Sequence, residues 1–435
     1  MLRHSLLILC LTVASALYAE IPDNGVWSYL DCIEYAREHN ISLKQSILAE
    51  EKAEYDLDAA KGQWQPTLDF ATSHAYTNAI WGVSPHNTFG GNFNLNAGWT
   101  VYNGGIRRNT IKRETDKTEI ARLASEDLFR SIETDILKVY LNLLYAQESI
   151  EIYEEAVELS QAQVNRARQL MSAGTLSRVD FAQLNAQLEQ DRYALTNARS
   201  QYATRRMELK KILQLGINDT ISPMMLDWDE KMIMADLPPM QESYMMAIDT
   251  DLQMRSLALQ KKVADYDIAI ARGARLPKIS LNAGAGTSYA LPTDNLGLQL
   301  KNALSEQIGI SLSIPIFDQR KTKVAVAQAK VARMGVELDT DQRLLDLSQE
   351  IESWYVNVTE SQSRYLAAIQ QEKSAALSND LVNEQFNLGL VNTVELLTAH
   401  NNLLEARHTL LQAKFMTVIG RKMIDYYRTA AVSLP

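Results

Sequence analysis

The chain is one long unit written twice, and this duplication limits the folds open to it more than any other feature. Ala60-Lys61-Gly62 followed by Pro66-Thr67-Leu68 resembles Ala271-Arg272-Gly273 followed by Pro277-Lys278-Ile279, at a separation of 211 residues. Val101-Tyr102-Asn103 matches Ile316-Phe317-Asp318 in character. Ala173-Gly174-Thr175 with Val179-Asp180 resembles Leu388-Gly389-Leu390 with Val394-Glu395, at a separation of 215. One small insertion reconciles the two separations. Solenoids repeat every 20–50 residues or so, so this is a single domain-sized unit duplicated. Residues 20–214 form the first repeat and 242–435 the second. Between them, 215–241 carries Pro223, Pro238 and Pro239 and reads as a partly irregular segment.

Each repeat has the order helix, strand, strand, long helix, long helix. Ser28 with Asp31 three residues on is a variant of the capping box, and that helix pauses at His39-Asn40 before running to Trp64. Pro66 and Pro277 stop the first helix of each repeat, because Pro cannot donate and pushes its predecessor toward extended backbone. The period then changes to two. Phe93, Leu95, Ala97, Trp99 and Val101 alternate with Asn92, Asn94, Asn96, Gly98 and Thr100. Ile308, Ile310, Leu312, Ile314 and Ile316 alternate with Gln307, Gly309, Ser311, Ser313 and Pro315. Strands are expected over about 67–81, 92–102, 278–290 and 306–317. A soluble antiparallel sheet with one buried face gives the same alternation. Strands of roughly ten residues also suffice to cross a membrane at a tilt, and the Asn, Ser, Gly and Thr face suits a wetted lumen.

The long helices follow, over about 105–213 and 320–427, with Asn103 and Asp318 placed to cap their starts. Phe129, Ile132, Ile136, Val139, Leu143, Ala146, Ile150, Tyr153 and Val157 step by three and four, which is a coiled-coil seam. Leu347, Ile351, Trp354 and Val358 continue it in the second repeat, and Leu396, Ala399, Leu403, Ala406, Leu410 and Ala413 line the last helix. From Ile106 to Met171 the helix is uninterrupted, on the order of 100 Å at ~1.5 Å per residue. Gly174 and Gly389 supply the hairpin turns. One chain cannot bury such helices alone, nor can four strands close a membrane barrel, which takes about eight or more. Chains sharing one barrel remove the free edges. Two chains would give eight strands and three would give twelve, and only the larger leaves an evident lumen.

The N-terminus gives the route. Arg3 and His4 precede the apolar stretch Leu6 to Val13, and Ala16-Leu17-Tyr18-Ala19 follows. This reads as a signal peptide, 1–19, with cleavage after Ala19 or Ala16. Cys10 would leave with it, so Cys32 is the one thiol of the mature chain, and no zinc spacing is present. The remaining chain has no apolar run long enough for a membrane helix. With 43 Lys and Arg against 53 Asp and Glu, the net charge is −10. That acidity excludes duplex nucleic acid as a partner, because phosphate binding needs a basic face.

Taken together, several features resemble the TolC-type outer-membrane efflux factors. These are the signal peptide, the duplicated helix-strand-strand-helix-helix unit, the Pro66 and Pro277 strand starts, the Pro315-Ile316-Phe317-Asp318 turn, and the Gly-centred tips with Val179-Asp180 and Val394-Glu395. No single motif carries the likeness; the order and the duplication do, over nearly the whole mature chain. The resemblance implies an α+β membrane protein: a homotrimer with a twelve-stranded outer-membrane barrel, four strands per chain, continuous with a periplasmic α-helical barrel. It implies a passive, porin-like conduit that opens at its helical tips when docked to a periplasmic adaptor and an inner-membrane pump. Residues matching the family's periplasmic gate are Asp180 and Glu395. Those at the adaptor-docking tips are Ala173, Gly174, Thr175, Leu388, Gly389 and Leu390. Phe93, Leu95, Trp99, Ile308, Ile310, Leu312 and Ile314 would face outer-membrane lipid. The chain departs from the pattern at Thr398, where a second acid is expected, and at Val391, often basic in a gate-locking network.

The remaining motifs are plainer. An acid near a helix N-terminus also stabilises the helix dipole, which gives Asp180 and Glu395 a purely structural reading. Met224, Met225, Met232, Met234, Met240, Met245 and Met246 crowd the inter-repeat region; thioethers bind Cu(I), but adaptable packing is their commoner use. His400 and His408 lie two helical turns apart, too far to share one ion. Trp81, Trp99, Tyr76, Tyr102, Tyr289 and Phe317 lie near strand ends, where membrane barrels carry aromatic girdles. There is no phosphate loop, metalloprotease helix or nucleophile elbow, so neither a catalytic constellation nor a cofactor is expected. A periplasmic coiled-coil adaptor is the alternative reading, although an adaptor would carry one hairpin flanked by small β-domains. The loops Gly82 to Gly91 and Pro292 to Ser305 are expected at the extracellular side, opposite the helices.

Overall fold

The computed structural model describes residues 25–78, 81, 87–226, 228–291, 295–432 and 434. The expected signal peptide and its cleavage site lie outside these residues, as do most of the Gly82 side of the first loop and Asp294 in the second. The chain divides into two compact units. The first takes the chain up to Gln45, Glu126–Leu252 and Arg343 onward; the second takes Ser46–Ser125 and Gln253–Gln342.

In chain order the elements are β1 (Val26–Trp27), α1 (Tyr29–His39), α2 (Ile41–Gly62), β2 (Thr67–Asn78), β3 (Asn87–Asn103), α3 (Ile106–Ser172) and α4 (Arg178–Leu213). The inter-repeat segment holds β4 (Ser222–Pro223) and α5 (Glu230–Met234). Then come α6 (Met240–Thr250), α7 (Leu252–Gly273), β5 (Lys278–Leu291), α8 (Leu296–Asn302), β6 (Ser305–Ser313), α9 (Lys321–Asn387) and α10 (Thr393–Thr429).

The first unit is built on α3. Its seam residues Ile132, Ile136, Leu143 and Ala146 are buried, and Phe129, Val139, Ile150, Tyr153 and Val157 are half-buried. Leu137, Tyr140, Leu141 and Leu144 are buried as well, so over this stretch the helix is enclosed on a wider face than a two-stranded seam needs. α1, α4 and α10 share this core, and so does Trp27 of the short parallel pair β1–β4, in which Val26 stands opposite Ser222 and Trp27 opposite Pro223. Tyr140 ties that pair down. Its hydroxyl donates to Trp27 O at 2.9 Å, with Met224 O at 3.1 Å, and accepts from the Met224 N–H at 3.0 Å. Ser28 and Asp31 form the full reciprocal capping box, and Asn40 breaks α1 from α2. On the other side Gly420 lets α10 close on α9: a Cβ there would stand 2.4 Å from Val358 Cγ2.

The second unit carries an antiparallel sheet in the order β2-β3-β5-β6. Its register sorts the side chains. Leu68, Phe70 and Tyr76 of β2 share a face with Phe93, Leu95 and Trp99 of β3, Leu281 and Tyr289 of β5, and Ile308, Ile310 and Leu312 of β6. The other face holds Ser73, Asn92, Asn94, Asn96, Asn282, Ser288 and Gln307.

Three strand expectations need correction. The second strand begins at Asn87, five residues early, because β2 pairs with it as far as Asn78 opposite Asn87. The fourth ends at Ser313, so Ile314, expected on the lipid face, and Ile316 lie beyond the sheet. Pro315 removes a donor and restricts Ile314 before it. Val101 also leaves the alternation. Register slips between Thr100 and Tyr102, so Val101 is the extra residue of a β-bulge and Tyr102 takes its place opposite Ile279.

Candidate functional site

Two places carry chemistry: the hairpin tips of the first unit and the sheet of the second. The tips are built identically in both repeats. At the end of α3 the Thr175 N–H bonds Leu170 O and the Gly174 N–H bonds Met171 O, both at 3.0 Å. At the end of α9 the Leu390 N–H bonds Gln385 O at 2.9 Å and the Gly389 N–H bonds Phe386 O at 3.0 Å. Each is a Schellman motif, whose pivotal residue must be left-handed. Gly174 has φ +79° and Gly389 φ +76°. Ala173, Gly174, Thr175, Leu388, Gly389 and Leu390 all lie exposed there.

Three residues after each glycine comes a cap, and three later an acid. The Ser177 hydroxyl accepts the Asp180 N–H at 3.0 Å and stands 2.6 Å from Asp180 Oδ2, to which it donates. Asn392 Oδ1 accepts the Glu395 N–H at 2.9 Å. The Ser177 hydroxyl holds the Asp180 carboxyl below the usual carboxylate range, and the Thr393 hydroxyl nearby, though outside hydrogen-bond geometry, pulls the same way. Asp180 and the first turn of α10 are therefore neighbours. Beneath them Val164, Ala167, Leu184, Leu188, Phe386 and Leu396 form one small core from α3, α4, α9 and α10.

The two departures from the family pattern, Val391 and Thr398, acquire a physical account. Val391 packs against that core, so the position is apolar filler. The Thr398 hydroxyl turns back on its own helix, donating to Val394 O at 2.8 Å. Deeper, a polar link between α4 and α10 was invisible in the sequence. His400 Nε2 lies 3.1 Å from Asp191 Oδ2, and both side chains are 2% exposed. Gln187 donates to Asp191 Oδ1 at 2.9 Å and to Asn401 Oδ1 at 3.2 Å. His408 instead lies against the Tyr153 ring with centroids 4.4 Å apart, and burial lowers its pKa. Among the described residues no cluster of His, Cys, Asp and Glu could hold a metal ion. Nor do the methionines chiefly fill gaps, as expected: Met234 packs on the core, but Met224, Met225, Met232, Met240 and Met245 are exposed.

The sheet shows its apolar face to the outside of the chain. Ile308 is 86% exposed, Ile310 74% and Phe70 67%. The edge strands β2 and β6 have one partner each among the described residues. Tyr76, Trp99, Tyr102 and Tyr289 share the apolar face by register, whereas Trp81 and Phe317 lie off the strands.

A residue the sequence reading missed holds the start of α3 to these strands. Arg107 is 3% exposed; its guanidinium donates to Gln63 O at 2.8 Å and Val101 O at 3.1 Å and lies 4.1 Å above the Trp64 ring. The polar Asn103-Gly104-Gly105 turn just before it is the nearest hint of such a buried cation in sequence.

The family model for outer membrane efflux proteins matches residues 32–214 and 244–418. The efflux protein BepC of Brucella suis is 22% identical over 65% of this chain and 59% of its own length. The alkaline protease secretion protein AprF of Pseudomonas aeruginosa is 23% identical over 70% of this chain and 63% of its own. The chain thus spans less than two thirds of the length of either. The structure of CusC superposes with a TM-score of 0.81 at 17% identity, covering 93% of this chain and 92% of that one. The two matched segments coincide with the two repeats, and the shared fold is that of a transmembrane channel. The chain belongs to the outer membrane efflux protein family, and is an outer-membrane protein whose long helices reach into the periplasm.

Proposed function

We propose that the chain is one third of a passive export conduit, a homotrimer working with a periplasmic adaptor and an inner-membrane pump. The observation that carries this is the sheet. An exposed apolar face stands opposite a face of amides and hydroxyls, and the edge strands β2 and β6 each have one open side among the described residues. Contiguous exposed apolar surface marks contact with a partner or a membrane, and an antiparallel sheet crosses a membrane only when closed. Copies of the chain close the edges; lipid covers Phe93, Leu95, Trp99, Ile308, Ile310 and Leu312. Two hairpins per chain, each with the same tip, count against the adaptor reading.

This topology puts Asn87, at the β2–β3 turn, outside the cell. Asn87→Cys is expected to label with an impermeant maleimide on intact cells. Background is low because Cys32 is fully buried. Protection until the outer membrane is ruptured would overturn the orientation.

At the tips of the first unit, three copies would place Asp180 and Glu395 as six carboxylates around the periplasmic mouth. Charged rings in narrow pores select ions by sign. The double change Asp180→Asn with Glu395→Gln keeps size and removes charge. In planar bilayers it should lower cation selectivity and weaken block by trivalent cations. Asp180's share of the parent's selectivity should persist as pH falls: a carboxyl whose pKa is depressed stays charged, and loses its charge only below the ordinary Asp value of ~3.9. Unchanged selectivity and block in the double variant would leave the two acids as helix-start stabilisers.

A further inference from the structure

A cavity of about 200 Å³ opens in the first unit where the inter-repeat segment lies over the end of α10. Trp228, Met232 and Ile233 form one wall and Val418 adds to it from α10. The same turn of α10 brings in two cations, Arg421 and Lys422, with Asp425 beside them.

Both cations are half-buried. Arg421 gives one N–H to Ala235 O. Lys422 has no hydrogen bond or ion pair among the described residues; Asp425 and the neighbouring Arg421 act on it only through space. Burial lowers the pKa of each, against the opposing pull of Asp425 on both and of Asp236 on Arg421. The duplication supplies an internal comparison. At 215 residues' separation the same turn of α4 carries Arg206 and Met207, and both are exposed. The basic pair thus occurs in the second repeat only, where the inter-repeat segment covers it, while the matching turn of the first repeat lies open.

We propose that this cavity binds a small amphiphilic anion, an aromatic or short aliphatic carboxylate, with its charged end on Lys422 and Arg421 and its apolar body against Trp228, Met232 and Ile233. Ligand sites are apolar hollows with a few convergent polar groups. A carboxylate here would meet an ammonium that has no hydrogen bond or ion pair among the described residues and a guanidinium that gives one N–H to Ala235 O, and charge-assisted bonds of that kind are the stronger ones. The plainer account is that the two long side chains merely rest their stems on apolar surface and keep their heads in water.

The two accounts separate in a binding experiment on the purified full-length protein, using 4-fluorobenzoate and its uncharged counterpart 4-fluorobenzamide, followed by fluorine NMR. The benzoate should bind saturably and about ten-fold or more tighter than the benzamide, a difference of ~1.4 kcal/mol. Lys422→Met should cut benzoate affinity about ten-fold and Lys422→Arg should retain it. Because Lys422 has no partner to lose among the described residues, its methionine variant should keep the parent's gel migration, which checks the fold. Equal binding of acid and amide, no saturable binding of the acid, or unchanged affinity in Lys422→Met would overturn the site. None of these results bears on the conduit reading, which rests on the sheet and the tips.

Discussion

Gly104→Val is expected to abolish accumulation of the protein in the outer membrane. Gly104 has φ +67°, and a Cβ there would stand 2.3 Å from Gly273 O and 2.8 Å from Leu276 Cβ. The obstruction is backbone, so no rotamer relieves it. Gly273 is hemmed in reciprocally: a Cβ there would stand 2.8 Å from Gly104 O and 2.8 Å from Ile106 Cγ1. The turn after β3 and the turn after α7 therefore interlock, each needing the other's missing side chain. A left-handed non-glycine residue costs about 1–2 kcal/mol, and overpacking adds about 1–3 kcal/mol. A β-branched residue should incur both. Outer-membrane level and thermal stability of the purified variant are the readouts. Gly62→Ala is the control, since Gly62 ends α2 with open space around it and an ordinary φ. Parental levels of Gly104→Val would show that the turn is looser than its geometry requires.

Gly174→Pro and Gly389→Pro should each abolish export while leaving the protein in the membrane. Here space is no issue: nothing lies within 4 Å of a Cβ at either position. Conformation decides. Proline holds φ near −65°, whereas these residues sit at +79° and +76°. Proline also removes the N–H that bonds Met171 O or Phe386 O. Both Schellman turns would open, and the chain would enter α4 or α10 in the wrong direction. Docking by exposed tip backbone would fail, but the sheet, a separate compact unit, would fold. Alanine at either glycine should give partial export, since it keeps the N–H and incurs only the left-handed strain. Normal efflux in both proline variants would exclude the tips as the docking site.

The two predictions rest on features of different legibility. Whereas the caps Ser177 and Asn392 came from the structure, the tip glycines and the acids six residues after each could be read from the chain, because a helix end is specified locally. The same holds for the capping box at Ser28 and for the alternation of Phe93, Leu95 and Trp99 with Asn92, Asn94 and Asn96. The seam on α3 was legible in its period but not in its breadth. Leu137, Tyr140, Leu141 and Leu144 are buried because β1, α1, α4 and α10 converge on the helix, and Tyr140 meets Met224 across 84 residues of chain.

What the sequence by itself determined is therefore the duplication, the order of elements, the two-residue period of the strands and the chemistry of the turns, all set by interactions over one or two turns. Tertiary structure alone decided the rest. It placed the bulge at Val101, where Arg107 claims the carbonyl of the extra residue. It joined His400 to Asp191 across 209 residues, and drew Lys422 under Trp228 while leaving Met207 exposed. The physical reason is that a buried polar group or an occupied bulge depends on which distant segment arrives to cover it, and no local period in the chain records that arrival.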